Sequence, residues 1–489
     1  MGVFDMKLIM GRAKTGKSTY IYDEINEGIN KGAINNLILI VPELMTYEAE
    51  YEIIHRLNSE GIINVEVLSF KRLAEMIIEE VGRPSAENIN IFGKIILLKQ
   101  IIKENNDYLK IFKNAGFQEG FLRELQLMIQ ELKQNLISTI SLDEVKKKID
   151  SYLLKCKLDD ISLIYSKYIK KTMDVFFDEE DMQEFVIDSI KHSNYIKNSI
   201  IWIDGFESFN KQRIKMIKAL WMNCNDITIS LNIDSSYLND LESFDDWEAF
   251  KTIYDTYISL NNEIDDIEVI SLSENKLQSD EIKQIERNIF SLKLEQFNKQ
   301  TDNINIFSSM NPYTETEKVA NKIISLVRDY NYRWKDIKIA ASDMDSYAIH
   351  IKKTFDRYGI PYFLDMKRDI MNNPLCKYIL SILDMFIWNF RQDNVFEYLK
   401  SGFSPLTDIE IIHLENYALQ YGIEGVMWFE DIDDIRKLFA SDFKNRIKEF
   451  KGLSSTHEIT AFLFSFMELH CVNKKMQESI QGFLTENKF

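Results

Sequence analysis

"GRAKTGKS", Gly11 to Ser18, is the stretch on which the fold turns. It fits G-x-x-x-x-G-K-[ST], with Gly11, Gly16, Lys17 and Ser18 in the fixed places. The glycines let the loop take backbone angles that a Cβ would forbid, so its N–H groups can turn inward onto a phosphate. Lys17 places a cation on the β- and γ-phosphates, and the Ser18 hydroxyl ligates Mg²⁺. A helix starting at about Lys17 adds the positive end of its dipole. The flanks suit this motif. "MKLIM" (Met6 to Met10) is a short buried strand leading in. "KSTYIYDEINEGIN" is a helix leading out, with Tyr20, Ile21, Ile25 and Ile29 roughly on one face. ATP and Mg²⁺ are the expected ligands, with nucleotide contacts from Gly11, Arg12, Ala13, Lys14, Thr15, Gly16, Lys17, Ser18 and Thr19.

Outward from the loop, strands and helices alternate. "NLILIVPE" (Asn36 to Glu43) is a strand ended by Pro42, and "LMTYEAEYEIIHRL" is an amphipathic helix. Val65 to Leu68 is a third strand running straight into a helix. This alternation predicts an α/β fold with a parallel sheet. Between about Pro84 and Asn198 strand signals vanish, and "FLRELQLMIQELKQNL" and "ISLIYSKYIKKTMDVFF" have helical spacing. That block is expected to be a helical insertion. Within it, "DEED" (Asp178 to Asp181) is expected to be the solvated, acidic start of a helix rather than a metal site.

The sheet resumes at "SIIWIDGFESFN", with Ile200 to Ile203 leading to Asp204, and continues at "DITISLNID" (Asp226 to Asp234). Ser235 to Lys299 is polar and is assigned to surface connections and helices. Further strands are expected at Asn303 to Met310, in "DIKIAAS" (Asp336 to Ser342) and in "PYFLD" (Pro361 to Asp365), with helices between them, making a second α/β unit. From Pro374 helices dominate. The predicted domains are 1–83 plus 199–300, with the nucleotide loop; 84–198, the helical insertion; 301–373, part of the second α/β domain; and 374–489, a further helical insertion that is apparently truncated.

Asp204, an acid at the end of an apolar strand, is the second candidate metal ligand beside Ser18, since such an Asp holds Mg²⁺ in P-loop ATPases. The next residue is Gly205, which has no side chain to take a proton or orient water. Nucleotide binding with weak or absent hydrolysis follows, and no catalytic residue is assigned. Lys367 and Arg368 form a basic pair near the end of a strand, with a solvated surface turn as the competing expectation. The 22 Tyr and 31 Phe could stack bases, but most fall at helical spacing among Ile and Leu and suit a core. His55 and His413 sit within helical patterns.

The 489 residues carry a net charge of −18, which argues against a generally basic nucleic-acid binder but leaves room for one basic groove. Single-stranded DNA binding through such a groove would fall steeply with salt. The four cysteines, Cys156, Cys224, Cys376 and Cys471, have no metal or disulfide spacing and suit a reducing cytoplasm. No apolar run approaches a membrane span and no signal peptide is expected.

The blocks "LILIVPELMTYEAEYEI", "VLSFKRLA", "IWIDGFESF", "DIKIAASDMDSYAIHIKKTFDRYGIPYFLDMKRDIMNNPL" and "DIEIIHLENYALQYGIEGVMW" together resemble the B subunit of the AddAB-type helicase–nuclease, over nearly all 489 residues. The resemblance implies two RecA-like P-loop domains of superfamily-1 helicase type with large helical insertions. It implies a heterodimer with an A subunit that drives translocation, DNA as substrate, and recombinational repair of double-strand breaks. The B subunit would scan the exiting strand for a regulatory sequence. Active helicases of that superfamily read D-E-x-Q where this chain has Asp204, Gly205 and, in place of the Gln, Glu207. The arginine-bearing segments that complete hydrolysis are not recognisable. The chain is thus expected to bind ATP and to be motor-inactive. The family's iron–sulfur cluster and nuclease domain lie in a C-terminal part that this chain is not expected to contain. A small-molecule P-loop kinase and an interaction scaffold with a vestigial P-loop are the competing expectations.

Overall fold

Five short runs become strands, four of them rich in Ile and Leu and buried on both faces, the pattern of a sheet covered by helices on either side, and the fifth, Val65–Leu68, with Glu66 exposed. In the computed structural model these are β1 (Met6–Met10), β2 (Asn36–Ile40), β3 (Val65–Leu68), β6 (Ser199–Ile203) and β7 (Asp226–Leu231). Between β3 and β6 lie two minimal strands, β4 (Glu87–Asn88) and β5 (Phe176–Phe177), which pair only with each other. A last strand, β8 (Ile267–Ser271), completes a six-stranded sheet of order β3-β2-β6-β7-β1-β8, parallel throughout. The structure describes residues 6–30, 36–57, 65–83, 86–173, 175–234, 250–264, 266–277, 279–289, 295–364, 370–430, 434–444, 446–453 and 455–477. The five expected strands therefore share one parallel sheet. β8 falls in the stretch assigned to connections and helices, and corrects that expectation.

The period of two along each strand sorts its side chains onto two layers. Leu8, Met10, Ile38, Ile40, Ile201 and Ile203 face one core; Ile9, Leu37, Leu39 and Trp202 face the other. The second layer is closed by α1 (Lys17–Asn30), through Ile21 and Ile25, and by α2 (Thr46–Leu57), through Ala49 and Ile53. The first is closed by α3 (Phe70–Val81), whose N-terminus is capped by Ser69. The helical block has its own core, built by α4 (Ile91–Glu104), α5 (Glu119–Gln134), α6 (Thr139–Lys147) and α7 (Tyr152–Thr172), around Leu98, Ile101, Leu125 and Ile164. α8 (Glu179–Ser189) leaves that block and packs Val186 and Ile187 into the first layer of the sheet. There it joins α9 (Asn194–Lys197), α10 (Lys211–Asn223) and α11 (Lys251–Glu263); α12 (Asp280–Asn288) follows β8.

The start of α8 is a helix N-terminus, as expected, with Asp178 and Asp181 forming a capping box. It is not solvated. Asp178 and Glu180 are each 1% exposed. Lys133 of α5 meets Asp178 at 2.7 Å and Asp181 at 2.6 Å. Lys94 of α4 meets Glu180 at 3.0 Å. The Tyr168 hydroxyl donates to Asp178 at 3.3 Å. Burial by itself would raise the Asp178 pKa, but the two ammonium groups outweigh it and hold the carboxyl well below the usual carboxylate range. Among the described residues no group of His, Cys, Asp and Glu has the arrangement of a metal site.

The chain divides after Ile306 into two compact units. In the second, α13 (Pro312–Asp329) begins with an Asn311 capping box and Pro312 in its first turn, and packs Ala320 and Ile323 against Ile351 and Phe355 of α14 (Met344–Tyr358). α15 (Pro374–Ile387), α16 (Gln392–Leu399), α17 (Asp408–Tyr421), α18 (Asp434–Phe443), α19 (Arg446–Lys451) and α20 (Thr456–Leu469) surround a separate aromatic core that includes Tyr378, Trp428, Phe443 and Phe466. The helices fall where the sequence places them; the strands do not. Among the described residues, neither Asn303 to Met310 nor Asp336 to Ser342 nor the segment from Pro361 forms a β-ladder. Ile306 and Met310 are 94% and 96% exposed, so these apolar runs have no sheet to bury them here. Lys367 and Arg368 lie outside the described residues.

Candidate nucleotide site

Because β7 lies between β6 and β1 and all three are parallel, their C-terminal ends open onto one edge of the sheet. The edge is occupied by the Gly11–Ser18 loop after β1, by Asp204 after β6 and by Asn232 after β7. In open parallel sheets this is the edge where ligands bind.

The loop folds on itself before α1 begins. The Thr15 hydroxyl donates to the Arg12 carbonyl at 2.9 Å. Lys14 has φ +60° and Gly16 φ +96°, left-handed values that glycine takes without strain. Gly11 is required for a different reason: a Cβ there would stand 2.6 Å from the Leu272 carbonyl oxygen. The half-buried ammonium of Lys17 donates to the carbonyls of Gly11 and Arg12, both at 2.8 Å, and to Asn232 Oδ1 at 3.1 Å. Burial lowers the Lys17 pKa, against the opposing pull of the Asp204 and Glu286 carboxylates. Ser18 lies in the first turn of α1 and is exposed.

Arg12 is spoken for. Its Nε donates to Glu286 Oε1 of α12 at 2.7 Å, and its guanidinium lies 5.1 Å from the Phe250 ring centroid. That pairing spans 274 positions of chain and has no local signal. Ala13 and Lys14 are exposed, and Thr15 is buried.

Asp204 is buried at the end of β6, its N–H held by the Ile40 carbonyl at 3.0 Å. Its carboxylate accepts a hydrogen bond from the Ser230 hydroxyl of β7. Its charge is felt at Lys17 and, with burial as the larger cause, helps to push the Tyr22 phenol up to about 12. Asp204 and Ser18 offer hard oxygen ligands, the chemistry that suits Mg²⁺. Gly205 has φ +80°, and a Cβ on it would meet Met45 Sδ at 3.0 Å and Pro42 Cδ at 3.3 Å. Glu207 is exposed.

Sheet and loop define an α/β unit of strand–loop–helix type, with a lysine seated on its own loop and an acid one strand pair away. The chain belongs to the ADDB N-terminal family, whose sequence pattern matches residues 8–295. It is 33% identical over 520 residues to the B subunit of the ATP-dependent helicase/deoxyribonuclease of Alkaliphilus oremlandii, covering 99% of this chain and 45% of that relative. The proteins of the same name from Thermoanaerobacter sp. and Clostridium tetani are 31% and 32% identical, each again over 99% of this chain and 45% of the relative. The chain thus spans less than half the length of these curated relatives. No helix among the described residues is long and apolar enough to cross a membrane.

Proposed function

We propose that this chain is the ATP-binding, motor-inactive, helicase-like portion of a B subunit that works with an A subunit in processing DNA ends for recombinational repair in the cytoplasm. The relatives are named as ATP-dependent and as one subunit of a larger enzyme, which supports nucleotide use and a partner. Gly11 to Thr19 hold the triphosphate, Lys17 supplies the charge, and Ser18 and Asp204 hold Mg²⁺. Residues 301–373 belong to a second RecA-like domain, a reading supported by α13 and α14 in their expected places. Contact with DNA and scanning for a regulatory sequence belong to the same proposal and rest on family membership.

The observation that carries the motor-inactive reading is Gly205. Hydrolysis needs a carboxylate beside Asp204 to position water. Here the positive φ of Gly205 disfavours any side chain, and a Cβ would press on Met45 and Pro42. The test measures two quantities on the purified chain: Mg-ATP binding by calorimetry and phosphate release with and without DNA. Micromolar-range binding with background turnover is expected. DNA-stimulated release by the wild-type chain sinks the motor-inactive reading, with Glu207 the first residue to test.

A further inference from the structure

The segment that leaves β8 runs back across the nucleotide loop. The Leu272 N–H donates to the Met10 carbonyl at 2.8 Å, and the Lys276 N–H to the Lys14 carbonyl at 3.0 Å. Between these two ties the segment is braced from α12: Asn275 Nδ2 donates to Glu286 Oε2 at 3.4 Å, on the carboxylate whose other oxygen holds Arg12. Asn275 also accepts from the Leu277 N–H at 2.8 Å. The Lys276 backbone is therefore set against the loop, while its four-carbon stem stays free to swing.

That stem lies on Gly16. An ideal Cβ on Gly16 would stand 2.9 Å from Lys276 Nζ and 3.2 Å from its Cε. Two other cations of the loop are engaged, Arg12 with Glu286 and Lys17 with two carbonyls and Asn232, while Lys14 is exposed. Among the described residues the Lys276 ammonium has no hydrogen bond and no carboxylate partner. It is exposed and lies across Gly16 at the positive end of α1, a place that favours an anion. Since the chain as a whole carries −18, a positive cluster here is local and specific.

We propose that Lys276 is a nucleotide-binding residue, a second cation supplied in cis that takes the terminal phosphate of the triphosphate held by the loop. The proposal rests on the nucleotide reading above. Lys17 reaches the phosphates from the helix side and Lys276 from across Gly16. A charge-assisted contact made only to the terminal phosphate favours ATP over ADP. Sequence inspection passes over Lys276 because it lies in a polar connection with no motif of its own.

The test is calorimetry of Mg-ATP and Mg-ADP binding to the whole chain and to the Lys276→Ala, Lys276→Arg, Lys17→Ala and Lys103→Ala variants, with circular dichroism to verify folding. Lys103 is an exposed lysine at the end of α4 and controls for loss of one positive charge. Lys276→Ala is expected to weaken ATP binding by about tenfold or more and ADP binding by much less, as loss of one charge-assisted hydrogen bond implies. Lys276→Arg should keep most of the affinity, and Lys103→Ala should match wild type. Unchanged ATP affinity in Lys276→Ala, with binding lost in Lys17→Ala, overturns the role of Lys276 alone. Equal losses for ATP and ADP overturn its assignment to the terminal phosphate. No nucleotide binding by the wild-type chain overturns this proposal and the nucleotide reading together.

Discussion

The loop after β1 and the corner after β6 stand one strand apart on the same edge of the sheet, and they have been kept to different standards. In the loop the glycines and the lysine of the motif are all in place. Gly16 holds its positive φ, Gly11 clears the Leu272 carbonyl, and Lys17 is seated beside both. At the corner Asp204 is followed by a glycine at positive φ, on which a Cβ would press against Met45 and Pro42. On the proposed reading, the difference bears on where a catalytic carboxylate would have to fit. A side chain at that position would press on Met45 and Pro42, so on the proposed reading binding and turnover would be separable at this edge.

The largest effect that would sharpen this comparison is at the loop. Lys17→Ala should reduce Mg-ATP affinity by about a hundredfold or more, since it removes charge-assisted contacts of about 1.5–3 kcal/mol each. Calorimetry on the folded variant checks it, and affinity within a few-fold of wild type would break the idea that the loop is the binding half. At the corner, Gly205→Glu should not create DNA-stimulated phosphate release. It should instead lower stability by about 1–3 kcal/mol in urea denaturation, the usual cost of a left-handed non-glycine residue or an overpacked contact. Turnover in that variant would show that the corner was merely short of one side chain. The smallest effect is in pH. Burial lowers the Lys17 pKa from 10.5, so its charge is lost sooner than an ordinary lysine's as pH rises. ATP affinity should therefore be full on the acidic side of that transition and fall as pH rises through it, at a pH below 10.5, a slope that Lys17→Arg should remove.

The sheet is legible in the sequence because β1, β2, β6 and β7 are buried on both faces and read as continuous apolar runs. β8 is not, because it is an edge strand: Ile267, Val269 and Ile270 are only half-buried, and acidic residues precede them. The second unit misleads in the opposite direction. Apolar runs such as Ile304 to Phe307 have the composition of a strand, but a strand exists only through its neighbour's hydrogen bonds. The loop's motif is legible from local spacing. Its surroundings are not, since Glu286 and Lys276 reach it from more than 250 positions away. The same holds for Asp178 to Asp181, which look solvated until Lys94 and Lys133 arrive from other helices. A positive φ at Gly205 is likewise a property of the folded corner, and glycine alone does not announce it.

α8 has a mechanical consequence. Its first turn is clamped by ammonium groups from α4 and α5, and its second half is embedded beside the sheet. The Glu180 carbonyl in that first turn takes the Gln212 amide of α10, the helix that begins just past the Asp204 corner. Breaking a buried ion pair of this kind costs about 3–5 kcal/mol, and salt hardly screens it. The joint is therefore stiff where a surface joint would yield. One chain of buried polar contacts therefore runs from the helical block through α8 to α10, the helix that follows the Asp204 corner.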